Sequence, residues 1–219
     1  MFTDKMTYNE FQIEMKRDYL AIAKYFVEFC KKNNFRLTKM WKENKSSKKY
    51  QMLDMIEFHS TETGIDYFIF ITHEAGQNFF SPFLFGVMEK SNGKKCLVNL
   101  SNFKVNSNVE IDSGAVIYDF HIFSRYRERV IKKDVTIKRS IYLLIKEIIS
   151  DQENTLCGGF CKFNRKREDR SIITRLKSGA IVGEFGDKEN IIINKTFISN
   201  EMLGEDQAKI MESYKEKFS

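Results

Sequence analysis

Residues 52–73, MLDMIEFHSTETGIDYFIFITH, are the stretch that decides the fold. Two runs rich in β-branched and aromatic residues, Met52–Ser60 and Ile65–His73, flank the polar segment Thr61–Gly64. Such runs on either side of a short glycine-containing turn are typical of two paired antiparallel strands. This stretch therefore predicts a β-hairpin at the start of an antiparallel sheet.

A second hairpin is predicted immediately after it along the chain. The runs Phe79–Glu89 and Lys95–Leu100 flank Ser91-Asn92-Gly93, and Asn-Gly is the strongest short hairpin signal because both residues tolerate positive φ. Consecutive strands joined by short connections usually lie next to each other. The two hairpins together predict an antiparallel meander of about four strands.

A long amphipathic helix is predicted before the first hairpin, over Tyr8–Asn33. Thr7 and Glu10 match a capping box at its start, and Asn33-Asn34 matches a helix stop. Its apolar residues recur at spacings of three and four, which places them on one helical face that we expect to cover the meander. They are Phe11, Met15, Tyr19, Ile22, Phe26 and Phe29.

From Gly114 onward the pattern changes to helices followed by further hairpins. The predicted elements are an apolar run over Ala115–Phe120, helices over His121–Ile131 and Val135–Ser150, a loop over Asp151–Arg170, strands over Ser171–Leu176, Ala180–Phe185 and Ile191–Ile198, and a closing helix over Glu205–Phe218. The chain is therefore predicted to be α+β, with an antiparallel sheet or sheets, an N-terminal helix, two central helices and a C-terminal helix.

The length of 219 residues fits one compact domain, because single hydrophobic cores extend to roughly 250 residues. Apolar residues make up 42% of the chain and include 20 Phe, which argues against a disordered chain. We predict a single domain over residues 1–219. It can be subdivided into residues 1–110, a helix plus a meander, and residues 111–219, helices plus hairpins.

Several classes of protein are disfavoured by the sequence. No apolar run reaches the roughly 18 residues of a bilayer-spanning helix, and Met1–Arg17 lacks the apolar core of a signal peptide. With four cysteines that fit a reducing compartment, this predicts a cytoplasmic protein without a membrane partner. Cys157 and Cys161 have the spacing of half a zinc site but lack a second pair, so no metal is predicted. Nucleotide-binding and zincin motifs are missing, so no cofactor is predicted.

Arginine is concentrated in one part of the chain. Between His121 and Ala180 there are 7 Lys and 8 Arg against 7 acidic residues, whereas the whole chain has a net charge of +6. The rigid donor fork of arginine suits phosphate better than lysine does, so RNA or another polyanion is the predicted partner. The candidate nucleic-acid-binding residues are Arg127, Arg129, Arg165, Arg167, Arg170 and Arg175. The alternative is a solvated, salt-bridged surface.

One run in this window combines acid–base and cationic side chains, His121-Ile-Phe-Ser-Arg125-Tyr-Arg127-Glu128-Arg129. Side chains three and four residues apart lie on one helix face. Those expected to project together are His121, Arg125, Glu128 and Arg129. A His, a carboxylate and guanidinium groups can cleave RNA through attack by a 2′-hydroxyl, because they can move protons and neutralise charge on phosphorus. The alternative is ordinary ion pairing on a helix surface.

This motif, followed by a hairpin and a last strand that carries Thr196, resembles the barnase/RelE-like ribonuclease superfamily of toxins. The resemblance covers residues 118–199 and implies a helix packed on a small antiparallel sheet, with a catalytic cleft between them. It implies that His121 is a general acid or base and that Glu128 is a base or orients the helix. It also implies three phosphate contacts, with Arg125 and Arg129 as clamps and Thr196 as a ligand. This chain departs from the family in its long insertion between the motif and the hairpins, and in residues 1–110.

The sequence thus predicts a metal-independent, ribonuclease-like protein of the toxin or phage–host-conflict type that acts on RNA phosphodiesters. Its predicted catalytic residues are His121, Arg125, Glu128 and Thr196. Two alternatives stay open, and with them the question whether the chain is an enzyme. One is a non-catalytic module that binds nucleic acid or an acidic partner, and the other is a protein whose motif is purely structural.

Overall fold

The structure is a computed structural model that describes residues 2–43, 50–104, 111–150, 171–186 and 191–202. The chain divides into two compact units, unit 1 over Met1–Leu100 and unit 2 over Ser101–Ser219. Along the described residues, no helix combines the length and the apolar character that crossing a membrane requires. The single domain over residues 1–219 and its subdivision after residue 110 stay predictions.

Unit 1 is built on an antiparallel meander, as the two hairpins predict. Its strands are β1 (Tyr50–His59), β2 (Asp66–Glu74), β3 (Phe80–Glu89) and β4 (Lys95–Lys104). β1 pairs with β2, β2 with β3 and β3 with β4, each in the antiparallel sense. The tight turn between β3 and β4 holds Gly93 at a φ of 75°, a left-handed conformation that glycine adopts without steric cost.

α1 (Tyr8–Glu43) packs against β1 and β3. The predicted capping box forms at its start. The backbone N–H of Thr7 donates to Glu10 Oε2 at 2.6 Å, and the backbone N–H of Glu10 donates to Thr7 Oγ1 at 3.3 Å. Three residues of the predicted apolar face are buried, namely Phe11, Ile22 and Phe26. Tyr19, which was expected on this face, is exposed.

The predicted end of α1 at Asn33 is wrong, because the helix continues to Glu43. Asn33 Nδ2 donates to the carbonyl oxygen of Phe29 at 2.9 Å, so its side chain bonds within the helix instead of ending it. Further along, Leu37 is buried, and Trp41 stacks on His73 with ring centroids 4.4 Å apart. The tertiary packing of Leu37 and Trp41 therefore stabilises α1 beyond Asn33, although the local sequence favours a helix end there.

The buried face of α1 also contains a carboxylate, Asp18, which is 1% exposed. This carboxylate accepts hydrogen bonds from the hydroxyl groups of Ser60, Thr63 (2.5 Å) and Tyr67 (2.7 Å). We call these four residues the Asp18 cluster. Because its hydroxyl donors lie at and beside the turn between β1 and β2, the cluster ties α1 to the first hairpin. Burial, and then the hydrogen bond to Asp18, raises the pKa of Tyr67 above its usual value.

In the described part of unit 2 the strands are β5 (Ile111–Asp119), β6 (Ser171–Leu176), β7 (Gly179–Phe185) and β8 (Ile191–Ser199). β6 pairs with β7 and β7 pairs with β8, both antiparallel as predicted. β5 and β8 run parallel, with Ala115 opposite Ile191 and Tyr118 opposite Asn194. The prediction of an exclusively antiparallel sheet is therefore wrong, and the sheet is mixed.

The continuous burial of residues 115–118 in β5 fits its parallel pairing with β8. Residues 115–118 are all buried, and so are Ile191, Ile192 and Asn194. Burial along consecutive residues, without alternation, is typical of parallel strands covered on both faces. A parallel pair also needs a crossover of a dozen or more residues, and the chain between β5 and β8 easily supplies it.

Two helices of unit 2 follow β5, in the positions predicted for the central helices. α2 (Phe120–Tyr126) continues into a wider, π-type turn over Arg127–Ile131, and Lys132 ends that turn with a φ of 52°. α3 (Ile137–Ser150) buries an apolar stripe that includes Ile141, Leu144, Ile145 and Ile148. A short 3₁₀ turn, Asn200–Met202, follows β8. The C-terminal helix predicted over Glu205–Phe218 lies outside the described residues.

Candidate functional site

α2 begins directly where β5 ends. Asp119, the last residue of β5, has extended backbone angles (φ −64°, ψ 136°), and its Oδ1 accepts a hydrogen bond from the backbone N–H of His121 at 3.1 Å. This is an N-cap, which satisfies one of the free N–H groups at a helix start. The end of a buried strand thereby fixes the first turn of α2 and the position of His121.

The inner side of α2 is apolar and buried. Ile122, Phe123 and Tyr126 are buried, and the Tyr126 ring packs edge-on against Phe197 of β8, with centroids 5.2 Å apart. Because a helix repeats every 3.6 residues, burial of these positions leaves residues 121, 125 and 128 on the outer side. The packing of α2 against the sheet therefore decides which side chains face solvent.

Three of the predicted site residues meet on this outer side. Arg125 Nε donates to His121 Nε2 at 3.2 Å, and Arg125 Nη1 donates to Glu128 Oε2 at 2.9 Å. The side chains of Arg125 and Glu128 are 39% and 50% exposed, and His121 is exposed as well. We call His121, Arg125 and Glu128 the His121 face. The structure brings these residues together as their spacing predicts, and their catalytic roles stay predictions.

The hydrogen bonds of the His121 face define its proton-accepting atoms. A guanidinium group has only donors, so His121 Nε2 is the acceptor in the bond from Arg125. The remaining N–H groups of Arg125 can bind two oxygens of one phosphate. Exposed ion pairs contribute only about 0–1 kcal/mol to stability, so a phosphate can compete with Glu128 for Arg125.

The two neighbouring arginines are bonded to the backbone. Arg127 Nη1 donates to the carbonyl oxygen of Val135 at 3.2 Å, and Arg129 Nη1 donates to the carbonyl oxygen of Phe197. Arg129 lies in the π-type turn, where the helix is wider than in α2. Among the described residues, the Arg129 side chain hydrogen-bonds to β8. It does not hydrogen-bond to the His121 face, where the sequence predicts it.

The structure does not bring Thr196 to the His121 face. Phe197 pairs with Ile181, and Thr196 pairs with Val182, so the two neighbours follow the ordinary alternation of a strand. The Phe197 ring lies against Tyr126 of α2. The side chain of Thr196 must therefore point to the opposite face of the sheet, away from α2. The cleft that the family resemblance implies between the helix and Thr196 is not formed by these residues.

The other candidate arginines come from later segments. Arg175 lies on β6, opposite Ala180 of β7. Three more, Arg165, Arg167 and Arg170, lie outside the described residues, as do Cys157 and Cys161. The nucleic-acid-binding roles of these arginines stay predictions.

A second carboxylate cluster supports α2 from behind, and the sequence reasoning missed it. Glu147 of α3 accepts hydrogen bonds from the Tyr126 hydroxyl at 3.1 Å and from the backbone N–H and the hydroxyl of Ser178, both at 2.7 Å. We call these residues the Glu147 cluster. Burial and the neighbouring Glu147 raise the pKa of Tyr126 above its usual value. One signal for this cluster is present in the sequence, because Glu147 is the single acidic residue in α3. The signal does not identify the partners of Glu147, since they come from segments distant in the sequence.

Two further observations bear on the site. Within the residues that the structure describes, no three His, Cys, Asp or Glu side chains are grouped closely enough to hold a metal ion. Compared with protein-family models, with curated proteins and with solved structures, the chain matches none of them. Among the described residues, the His121 face is therefore the group of side chains whose chemistry points to a function.

Proposed function

We propose that unit 2 is a metal-independent, ribonuclease-like module of the toxin or phage–host-conflict type, and that it acts on RNA phosphodiesters at the His121 face. The observation that carries this proposal is the position of Arg125 between His121 and Glu128 on an exposed helix face. An imidazole, a carboxylate and a guanidinium within one hydrogen-bonded set are the group types that acid–base chemistry at a phosphate uses.

The proposed reaction begins when a phosphate of RNA draws the Arg125 donors onto its oxygens. This releases His121 Nε2, which accepts the proton of the ribose 2′-hydroxyl while that oxygen forms a bond to phosphorus. The bond from phosphorus to the 5′-oxygen breaks, the departing oxygen takes a proton from water, and the His121 imidazolium releases its proton to solvent. The products are a 2′,3′-cyclic phosphate and a 5′-hydroxyl. Arg125 neutralises the charge that develops on the phosphoryl oxygens, and Glu128 orients Arg125.

A second candidate is non-catalytic binding of RNA, of another polyanion or of an acidic partner through the same face. The orientation of Thr196 supports it, because a phosphate ligand on the far side of the sheet cannot complete a cleft around a substrate. The excess of basic residues over Phe120–Ser150, eight against three acidic ones, supports both candidates. Under either candidate we propose a cytoplasmic location, because the four cysteines fit a reducing compartment.

The test is incubation of end-labelled RNA with the full chain in the presence of EDTA, comparing His121→Ala with the matched control His59→Ala. His59 is also an exposed histidine, paired with Asp66 in unit 1, so its loss controls for removal of an imidazole. Loss of a general acid or base typically lowers the rate by 10²–10⁴-fold. We expect that loss for His121→Ala, unchanged cleavage for His59→Ala, and RNA affinity preserved in both.

The result that contradicts the catalytic proposal is RNA that stays intact with the wild-type chain, or a His121→Ala chain that cleaves at the wild-type rate. Binding without cleavage, weakened by Arg125→Ala and by salt, would favour the second candidate. Each phosphate contact changes the slope of log affinity against log salt by about one unit. Arg139→Ala is the matched arginine control, because Arg139 is exposed on α3 and lies over Tyr142.

A further inference from the structure

The outer surface of α1 carries a row of large apolar side chains that unit 1 does not cover. Ile13 is 58% exposed, Leu20 80%, Val27 46% and Phe35 85%. We call these four residues the outer row. Isolated exposed apolar residues are ordinary on protein surfaces, but here these four lie toward one side of a single helix of 36 residues, which also exposes Tyr19 and Tyr25.

Ile13, Leu20 and Val27 have the spacing of one of the two seam positions of a coiled-coil heptad, and the half-buried Ala23 and Cys30 have the spacing of the other. Ile13, Leu20 and Val27 are seven residues apart, and a seven-residue apolar repeat keeps side chains on one line along a helix. The buried residues Phe11 and Ile22 lie on the other side of α1. The helix therefore uses one stripe to hold itself to unit 1 and presents a second stripe, about 20 Å long from Ile13 to Val27, to solvent.

Basic side chains border this second stripe. Lys16 and Lys24 lie four residues before and after Leu20, and Lys31 lies four residues after Val27, so all three share its face. All three are exposed. Arg17 is next to them and forms ion pairs with Glu14 at 3.0 Å and with Glu62 at 3.4 Å. The stripe is thus apolar along its centre, and the three exposed lysines around it outnumber the one exposed acid beside Val27, Glu28.

We propose that the outer row and its lysines bind an acidic amphipathic helix of another protein, packed alongside α1 as a two-helix coiled coil. Apolar residues of the partner would cover the outer row, and its glutamates or aspartates would face Lys16, Lys24 and Lys31. Flanking charges of this kind select the partner and its orientation in coiled coils. α1 is already fixed against β1 and β3, so little conformational entropy is lost on binding.

Charge argues against a second copy of this chain as the occupant. An antiparallel pair centred on Leu20 would set Lys16 against Lys24, and a parallel pair would set each lysine against itself, which costs free energy. A membrane surface is the other occupant to exclude, because helices with an exposed apolar face and lysines can also lie in the bilayer interface, and the vesicle measurement below distinguishes it.

The probe for a test is a fluorescent four-heptad peptide with leucine at the seam positions and glutamate at the flanking positions, measured by anisotropy with the full chain. A peptide of the same composition in scrambled order is the control probe. We expect saturable binding of the ordered peptide, with a dissociation constant at least tenfold lower than that of the scrambled one. The double substitution Leu20→Ser with Val27→Ser should weaken binding about tenfold or more, since each removes a buried aliphatic contact.

The matched control is Phe79→Ser, which removes an equally exposed apolar residue (60% exposed) outside α1. It should leave binding unchanged, and far-ultraviolet circular dichroism should show both variants folded. Lys24→Glu with Lys31→Glu should weaken binding of the acidic peptide and strengthen binding of a lysine-flanked one. Three outcomes overturn the proposal. The first is that the chain binds the ordered and the scrambled peptide equally well. The second is that the wild-type chain is a dimer which the double substitution Leu20→Ser with Val27→Ser converts to a monomer, and the third is that the chain binds phosphatidylserine vesicles but not the peptide.

Discussion

In unit 1, Asp18 holds α1 to the turn between β1 and β2, and in unit 2, Glu147 holds α3 to the turn between β6 and β7. Each carboxylate accepts hydrogen bonds from a tyrosine hydroxyl and from a hydroxyl at a hairpin turn. Their depths differ, because Asp18 is fully buried whereas Glu147 keeps partial access to solvent. The same local chemistry therefore operates in two different environments.

The difference in depth assigns different tasks to the two clusters. A buried charge cannot be compensated by water, so the Asp18 cluster depends entirely on its own hydrogen bonds. At Glu147, water can hydrogen-bond to some of the polar groups that lose their partner when a residue of the cluster is substituted. Glu147 also bonds Tyr126, the residue directly after Arg125. We infer that the Asp18 cluster serves the stability of unit 1, while the Glu147 cluster also steadies the helix that carries the His121 face.

The largest expected effect on stability is that of Asp18→Ala. It leaves three hydroxyl groups without their acceptor in a buried site, and each unmet hydrogen bond of this kind costs about 1–3 kcal/mol. We expect the free energy of unfolding to fall by roughly 3–5 kcal/mol, measured by urea denaturation. Glu28→Ala, an exposed acid on the same helix, should change it by less than about 0.5 kcal/mol. If Asp18→Ala and Glu28→Ala lowered the free energy of unfolding equally, the burial of Asp18 would not distinguish its contribution to stability from that of an exposed acid.

A smaller loss is expected for Glu147→Ala, about 1–3 kcal/mol of unfolding free energy, because solvent reaches part of the site. Since Tyr126 would lose its partner, RNA cleavage or binding at the His121 face should also weaken. The neighbouring exposed residue Lys146 supplies the control Lys146→Ala, which should affect neither quantity. If Glu147→Ala destabilises the protein as much as Asp18→Ala does, the comparison between the clusters is wrong.

The pH dependence of stability provides a third test. Burial raises the pKa of Tyr67, so the unfolded chain releases this proton near pH 10 while the folded chain retains it. The free energy of unfolding should therefore be fully present below about pH 10 and fall as the pH rises above it. Tyr67→Phe should make this decline shallower in denaturation experiments between about pH 8 and pH 11. An unchanged slope would show that Tyr67 is not protected from ionisation.

The smallest expected effect is that of Thr196→Val. Its side chain faces away from α2, so it belongs to neither the Glu147 cluster nor the His121 face. We expect RNA cleavage and RNA affinity at the wild-type level, and an unfolding free energy within about 0.5 kcal/mol of wild type. A large loss of cleavage would instead favour the role that the resemblance to ribonuclease toxins implies for Thr196.

Features determined by neighbouring residues could be predicted from the sequence. The capping box of Thr7 and Glu10 forms as its spacing indicates, and His121, Arg125 and Glu128 bond to one another because helical geometry places residues three and four apart together. The strands of the meander also follow from local composition and turn residues. In each case the interacting groups lie within a few positions of each other.

Features determined by distant packing could not be predicted in the same way. α1 passes Asn33 because Leu37 and Trp41 find partners beyond it. Thr196 points away from α2 because the packing of Phe197 on Tyr126 sets which face of β8 is turned inward. The parallel pairing of β5 with β8 joins two segments that are far apart in the sequence, and a local pattern of apolar residues does not specify such a pairing.

The pairing of β5 with β8 has a consequence for folding kinetics. Ala115 must find Ile191, whereas each strand of the unit 1 meander pairs with its neighbour in sequence. Closing so long a loop before any contact forms slows folding. During synthesis, unit 1 can fold while unit 2 is still incomplete, and the edge of β5 that β8 covers stays open until residues 191–199 have emerged. A ribosome stalled between α3 and β8 would therefore hold a folded unit 1 followed by a strand edge prone to aggregation.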